Sequence, residues 1–398
     1  MLWKNVEFHN IGEILHNEDG SISWKRIPNS VHENTELQDV VYNSTGVEMR
    51  FVMKSDTVTI RMCKYDKENK GIHNFHVFRG GIQGGWRDHE CHHSVSNEIE
   101  DYVIERPKNP ERLKEVDKML GHDWDSEVVR VIFDRGRYRI YDIIGDVEPP
   151  KPSQTPKKTL LSYGSSITHG SNSIDRSHAW VSILAHNLDV DAINLGMAGS
   201  CRMEPAMADY IATMGAEGKW HIATLELGIN VLSWDDDLIN ERVNYIIRQV
   251  AGKNPEKPIF VISPFYHYGD DFSEEQHAKR WRRHIERIVK ELNFPNVTYI
   301  NGFDIFGLKI HSIYVMSGTR LCEMYLSGDY TPPTMAEYVD SAVYILTHIS
   351  PAVVVHRITG DCPRDLLVAP EWNARKHEVI NAITYKMQFD GLSQGCKI

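Results

Sequence analysis

The chain has 398 residues, 41% hydrophobic and 25% charged, a composition that implies a globular protein with two or three domains. Its formal charge of -11 argues against a surface built for nucleic-acid phosphates, and no apolar run is long enough to span a bilayer. The opening "MLWKNVEFHNIGEILHNEDG" lacks the basic start and apolar centre of an export signal. Six cysteines (Cys63, Cys91, Cys201, Cys322, Cys362, Cys396) show no C-x-x-C spacing and are expected as reduced thiols in a cytoplasmic protein.

Residues 1–146 read as β-structure. "VEMRFVMKSDTVTIRM" alternates on both sides of Lys54-Ser55-Asp56, which predicts a hairpin. "NFHVFRGG", "EVVRVIFD" and "RYRIYDII" predict further strands with no amphipathic helix between them, the pattern of a jelly-roll-like β-sandwich. Within this part "GGIQGGW" reads as a tight turn, because a phosphate loop needs a strand-to-helix context. "DHECHHS" would set His89, Cys91 and His93 on one face of a strand. No second cluster completes a metal site, so packing or surface histidines are expected and no metal is assigned. Prolines and lysines in "GDVEPPKPSQTPKK" mark a linker at 147–157.

After the linker the rhythm changes. "TLLSY", "VDAINL", "HIATLEL" and "PIFVISPF" are short apolar strands, separated by helical stretches such as "AWVSILAHNL", "EPAMADYIATM" and "DLINERVNYIIRQVAG". This alternation predicts an α/β domain over 158–307, a flavodoxin-like, doubly wound parallel sheet. Ligand sites in such sheets lie at the C-terminal ends of the strands. There the chain carries "GSSIT" (164–168), "NLGMAGS" (194–200) and "LGIN" (227–230). A serine, a glycine N–H and an asparagine amide could meet at one carbonyl, the serine attacking while the donors hold the oxyanion. Any one of these loops alone is explained as well by turns and helix caps. Three in order, each after a predicted strand, favour chemistry.

"YGSSITHG", "NLGMAGSCRMEP" and "LELGIN" resemble the first three blocks of the SGNH, or GDSL-like, hydrolases. The resemblance implies Ser166 as nucleophile, with its own N–H, the Gly199 N–H and the Asn230 side chain as oxyanion hole. Ser165 stands where the family often has aspartate, and Val231 where aspartate often follows the asparagine. "RGGIQGGW" and "IIGDVEPP" resemble the β-sandwich that precedes this domain in a subgroup containing esterases and a polyketide-tailoring acyltransferase. The implied activity is a serine carboxyl-ester hydrolase or an acyltransferase acting on a small ester or acylated sugar or metabolite, without cofactor. No nucleic-acid or membrane partner is expected, and a homo-oligomer stays open.

The family's fourth block, Asp-x-x-His-Pro, has no full counterpart. "SGDYTPP" offers Asp329 and Pro333 but sets Pro332 at the histidine position. His169 lies in a predicted helix that points it elsewhere, and His311 lies inside the predicted strand "KIHSIYV". His267, after the fourth strand, is on the correct edge and is the remaining candidate base. From 308 to 398 the chain instead resembles the C-terminal end of an uncharacterised radical-SAM family, most specifically in "HRITGDCPRDLLVAPEW". That family's cluster-binding cysteines are absent here, so no iron–sulfur chemistry is implied. The sequence reads as a chimera whose β-α-β-α tail could supply the missing last unit of the parallel sheet, with impaired catalysis for want of the histidine.

Overall fold

Along Thr57–Lys64 the side chains of Val58, Ile60 and Met62 are fully buried while Thr57, Thr59 and Arg61 between them are not. Strands of this kind build two antiparallel sheets. One runs Leu2–Trp3, Val6–His9, Glu48–Met53, Val128–Phe133, Asn74–Arg79, Ile82–Gln83, with two short strands beside it. The other runs Glu100–Glu105, Thr57–Lys64, Tyr138–Ile144, Ile22–Lys25, Glu13–His16. Phe8, Met49, Phe51 and Val131 of the first sheet share one core with Trp24, Ile60 and Ile140 of the second, which makes a sandwich. The computed structural model describes residues 1–65, 73–83, 93–171, 173, 176–267, 270, 276–305, 307–349, 351, 353–360 and 366–398.

Two expectations for this part are corrected. Glu48–Met53 and Thr57–Lys64 do not pair as a hairpin; each pairs within a different sheet. Both bury an apolar face in the shared core, so Lys54-Ser55-Asp56 carries the chain from one sheet to the other. A helix also forms at Pro110–Leu120, where Asn109 accepts from the Arg112 N–H at 3.2 Å and Gly121 ends it at φ 69°. None of its residues is buried, so no core-facing stripe announced it. Gly80 and Gly81 form the turn before Ile82–Gln83. His93 stacks on Phe75 at 4.6 Å. His89 and Cys91 lie outside the described residues.

The α/β part follows in the expected order. Its elements are β1 (Thr159–Gly164), α1 (Ser166–His169), α2 (Trp180–Asn187), β2 (Asp191–Gly196), α3 (Pro205–Ala216), β3 (Ile222–Glu226), α4 (Asp236–Lys253), β4 (Ile259–Ile262), α5 (His277–Leu292) and β5 (Val297–Ile300). The strands form one parallel sheet in the order β2-β1-β3-β4-β5. Adjacent residues of β1 serve opposite faces. Leu160 packs with Ala185 of α2, while Leu161 joins Ile211, Ile246 and Ile285 of α3, α4 and α5. Helices therefore cover both faces, as doubly wound sheets require.

Sandwich and parallel sheet belong to one compact unit, residues 1–264 with 269–301. Buried charge joins them. Arg50 donates two hydrogen bonds to Asp191 at 2.7 and 2.8 Å and one to Glu48 at 2.8 Å. Arg130 also binds Glu48, and its guanidinium lies 4.0 Å over the Trp124 ring. Burial alone would raise the Glu48 pKa, but Arg130 and Arg50 hold it at about 2.

Residues 265–268 with 302–398 form the second unit. Its core joins Ile310, Tyr338, Ala342, Trp372, Val379 and Ile383. Its helices are α6 (Arg320–Ser327), α7 (Met335–Thr347) and α8 (Lys376–Phe389). Thr334 and Glu337 start α7 with a reciprocal capping box. "KIHSIYV" is not one strand: Gly307–Lys309 pairs with Val354–Arg357, and Val315–Met316 pairs with Leu367–Ala369. His311 accordingly lies outside any strand. These strands form two-stranded sheets of their own, and the fifth strand of the parallel sheet is β5, which precedes the tail. Among the described residues no helix is long and apolar enough to cross a membrane.

Candidate active site

The three loops leave the C-terminal ends of the adjacent strands β2, β1 and β3. After β1, Ser165 caps the four-residue α1, its Oγ accepting from the Ile167 N–H at 3.2 Å. Ser166 is therefore the first helical residue and remains half-buried. After β2 the chain turns through Gly199, whose φ of 70° suits glycine and whose surroundings are open. After β3 a short turn at Ile229–Val231 carries Asn230.

Hydrogen bonds tie the loops pairwise. Met197 N–H donates to the Gly164 carbonyl at 2.7 Å, and Asn194 Nδ2 donates to the Thr168 carbonyl at 2.8 Å. Cys201 N–H donates to Asn230 Oδ1 at 3.1 Å. This contact fixes which way the Asn230 amide faces, because only the carbonyl oxygen can accept. Close approach tightens the arrangement further: a Cβ on Gly196 would sit 2.1 Å from the His169 nitrogen.

Glu226, at the end of β3, is the link that sequence reasoning missed. Its carboxyl, 1% exposed, accepts from the Ser165 N–H at 2.7 Å, from Ser165 Oγ at 2.8 Å and from Thr168 Oγ1 at 2.9 Å. Its carbonyl also faces the Cys201 thiol at 3.6 Å. One residue thus touches both other loops. Burial raises its pKa, and the hydrogen bonds from Ser165 and Thr168 work against that rise.

From the opposite side, Arg26 reaches in from the sandwich. It donates to the carbonyls of Asn194 at 3.0 Å, Gly196 at 2.9 Å and Val40 at 3.0 Å. It is 1% exposed and none of these contacts is to a carboxylate. Burial, then the neighbouring Arg176, lowers its pKa to about 9. The sequence signal for Glu226 was a lone charge in the apolar run "IATLELGI", whereas Arg26, beside Lys25, offered none.

Three donors at this junction, the N–H of Ser166, the N–H of Gly199 and the Asn230 Nδ2, make no hydrogen bond among the described residues. Within its unit Ser166 Oγ likewise has no hydrogen-bond partner among them. His169 is turned away: its Nε2 pairs with Thr45 Oγ1 at 2.9 Å and its Nδ1 with Ser171 Oγ at 3.2 Å. Burial, with Arg26 and Arg176 nearby, drives its pKa well below the usual histidine value. His267 and Asp329 belong to the second unit. His267 is half-buried after β4, and Asp329 is exposed after α6, accepting from Ser327 Oγ at 2.7 Å.

The parallel sheet thus carries a serine at its first strand-to-helix turn and unengaged donors on the next two loops. Residues 157–311 match the GDSL-like Lipase/Acylhydrolase family, and residues 305–388 match the Radical_SAM C-terminal domain. The chain thus carries two segments, each of which matches a different family. It is similar in fold to the salicylyl-acyltransferase SsfX3 from a tetracycline biosynthetic pathway, with a TM-score of 0.59 and 13% identity over 76% of this chain and 83% of that one. A chain assigned as a GDSL-like lipase from Bacteroides ovatus gives 0.51 and 16%, over 76% and 89%. Among curated sequences, the uncharacterised protein YtqA of Bacillus subtilis is 36% identical over 106 residues, 27% of this chain and 33% of that protein. An uncharacterised protein of Methanocaldococcus jannaschii is 30% identical over 95 residues, 24% of this chain and 30% of its own. The chain spans about a third of the length of these curated relatives.

Proposed function

We propose that the first unit is a serine ester hydrolase of the SGNH type, with Ser166 as nucleophile and the Ser166 N–H, Gly199 N–H and Asn230 amide as oxyanion hole. The observation that carries this reading is the set of three unengaged donors where the Ser166, Gly199 and Asn230 loops are tied together. Ser166 Oγ, giving up its proton to solvent, adds to the carbonyl carbon of a small ester and the carbonyl oxygen becomes an oxyanion held by those donors. The C–O bond to the alcohol then breaks, the departing oxygen takes up a proton through solvent, and the acyl group stays on Ser166. Water, or an acceptor alcohol in an acyltransferase, attacks the acyl carbon and restores the serine. Each oxyanion donor contributes about 3–4 kcal/mol to such a step.

Domain limits near 146, 157 and 307 and a cytoplasmic setting are part of the same proposal. The free thiols of Cys63, Cys201, Cys322 and Cys396 accord with that setting.

A second reading, a ligand-binding protein without turnover, is favoured because no base is hydrogen-bonded to Ser166 among the described residues of its unit. Loss of one triad member still leaves about 10³–10⁴-fold acceleration over water, so slow hydrolysis rather than none is expected of the first reading. A fluorophosphonate probe should label Ser166, and p-nitrophenyl acetate hydrolysis should disappear in Ser166→Ala. Absence of labelling, with hydrolysis equal in the two proteins, establishes the second reading.

A further inference from the structure

Chain neighbours aside, no described residue lies within 4 Å of where a Cβ on Gly199 would stand. The position of this glycine is therefore set by the residues before and after it. Before it, the Met197 N–H donates to the Gly164 carbonyl at 2.7 Å, and the Ser200 N–H closes a turn onto the Met197 carbonyl at 2.9 Å. After it, Cys201 reaches the β3 loop through its N–H on Asn230 Oδ1 and its thiol on the Glu226 carbonyl. Two residues further, the Met203 N–H donates to the Tyr163 hydroxyl at 3.0 Å. Tyr163 and Gly164 are adjacent in β1, so both ends of the loop are tied to the strand that delivers Ser166.

Met203 is the strained member of this set. Its φ of 53° lies in the left-handed region, where a side chain crowds its own backbone. The side chain is nevertheless fully buried, in one core with Tyr163, Met197 and Met207. The next residue, Glu204, is 6% exposed and leads into α3 at Pro205. Met203 thus turns the chain from the loop into the helix, in a conformation that persists only where its surroundings impose it. Tyr163 imposes it twice, with a ring packed in the same core and a hydroxyl oxygen on the strained N–H. A phenylalanine ring would fill the same space but leave that buried N–H without an acceptor.

We propose that Tyr163 is a positioning residue of the oxyanion hole: its hydroxyl holds Met203 left-handed and so fixes where the Gly199 N–H stands relative to Ser166. The inference rests on the proposed roles of Ser166 and Gly199. Tyr163 is fully buried and acts through the loop rather than on the substrate. An oxyanion donor works only within about 2.7–3.1 Å of the developing charge, so displacing it costs rate and not substrate affinity.

Tyr163→Phe removes the hydroxyl alone. It should lower kcat for p-nitrophenyl acetate about tenfold with KM unchanged, short of the roughly 10²–10³-fold that follows outright loss of a donor. Fluorophosphonate labelling of Ser166 should slow by the same factor. Thr224→Val is the matched control, since Thr224 Oγ1 donates to Ser162 Oγ at 2.8 Å, buried in the same sheet but outside the three loops. It should shift the urea midpoint as Tyr163→Phe does and leave kcat unchanged. Selective isotope labelling of glycine amides reads the geometry without turnover: the Gly199 signal should move in Tyr163→Phe and stay in place in Thr224→Val. A Gly199 signal unmoved by Tyr163→Phe, or equal losses of kcat in the two variants, would overturn the proposal. An unlabelled Ser166 in the parent protein would sink the nucleophile reading separately, and the Gly199 signal would still decide whether Tyr163 positions that N–H.

Discussion

Around the parallel sheet the protein buries ionisable groups: Arg26, Glu48, Arg50, Asp191 and Glu226 are each no more than 9% exposed. Among the described residues of the second unit, the buried polar side chains are Ser312, Thr347, Thr359 and Asn373, all uncharged. Burying a charge is costly unless hydrogen bonds and partners offset it, whereas an apolar core with a few neutral hydrogen bonds needs no such compensation. Among the places where the first unit accepts that cost are the seam between sandwich and sheet and the junction of the three loops. Both places fix the β2 loop, one by anchoring its strand and the other by holding its carbonyls. The contrast locates positional demand in the first unit and ordinary packing in the second.

Substitutions can break this contrast. The largest effect should come from Asp191→Ala, which strips Arg50 of its bidentate partner; a loss of about 3–5 kcal/mol is expected in urea unfolding. A loss under about 1 kcal/mol would show that the seam is not electrostatically held. Ile383→Ala, in the apolar core of the second unit, should cost about 2–5 kcal/mol through its cavity. Its effect should be independent of pH.

Glu226→Gln places an amide N–H₂ against donors that require an acceptor. It should cost about 1.5–3 kcal/mol and slow labelling of Ser166 more than Ile383→Ala does. Equal slowing in the two variants would reduce Glu226 to a purely structural role. Thr45→Val, which removes the partner of His169 Nε2, should cost only about 1 kcal/mol.

Acid titration sharpens the same contrast. Glu48 moves from an ordinary 4.5 down to about 2, so the folded state holds fewer protons than the unfolded state between those values. Its stabilisation is complete above pH 4.5 and is lost as the pH falls toward about 2. Glu226 and Glu204 have raised pKa values and act in the opposite sense, their contribution fading as the pH climbs above 4.5. Glu48→Gln should flatten the acid limb of an unfolding curve followed by circular dichroism. A limb as steep as the parent's would assign acid lability elsewhere.

The sequence made the strand-to-helix turns legible because turn chemistry is local: "GSSIT", "NLGMAGS" and "LGIN" each hold their glycine, serine or asparagine within a few residues. The interactions that position those turns are not local. Arg26 and Asn194 stand 168 residues apart, Arg50 and Asp191 141, Ser165 and Glu226 61, and no short window contains both partners. The same limit explains the false hairpin. Alternation around Lys54-Ser55-Asp56 encodes two half-buried strands, but the choice of sheet depends on Val128–Phe133 and Tyr138–Ile144 far downstream. The helix at Pro110–Leu120 escaped for another reason, since it presents no buried face to the core.

The guanidinium of Arg26 bears on how such a protein can be inherited. The family match begins at residue 157, yet the donor that satisfies the Asn194 and Gly196 carbonyls comes from residue 26. A recombination that exchanged the matched segment alone would leave those carbonyls unanswered beneath the Gly199 loop. Sandwich and sheet should therefore travel through evolution as a single cassette, and an alignment border near 157 is not a place where the gene can be cut and rejoined freely.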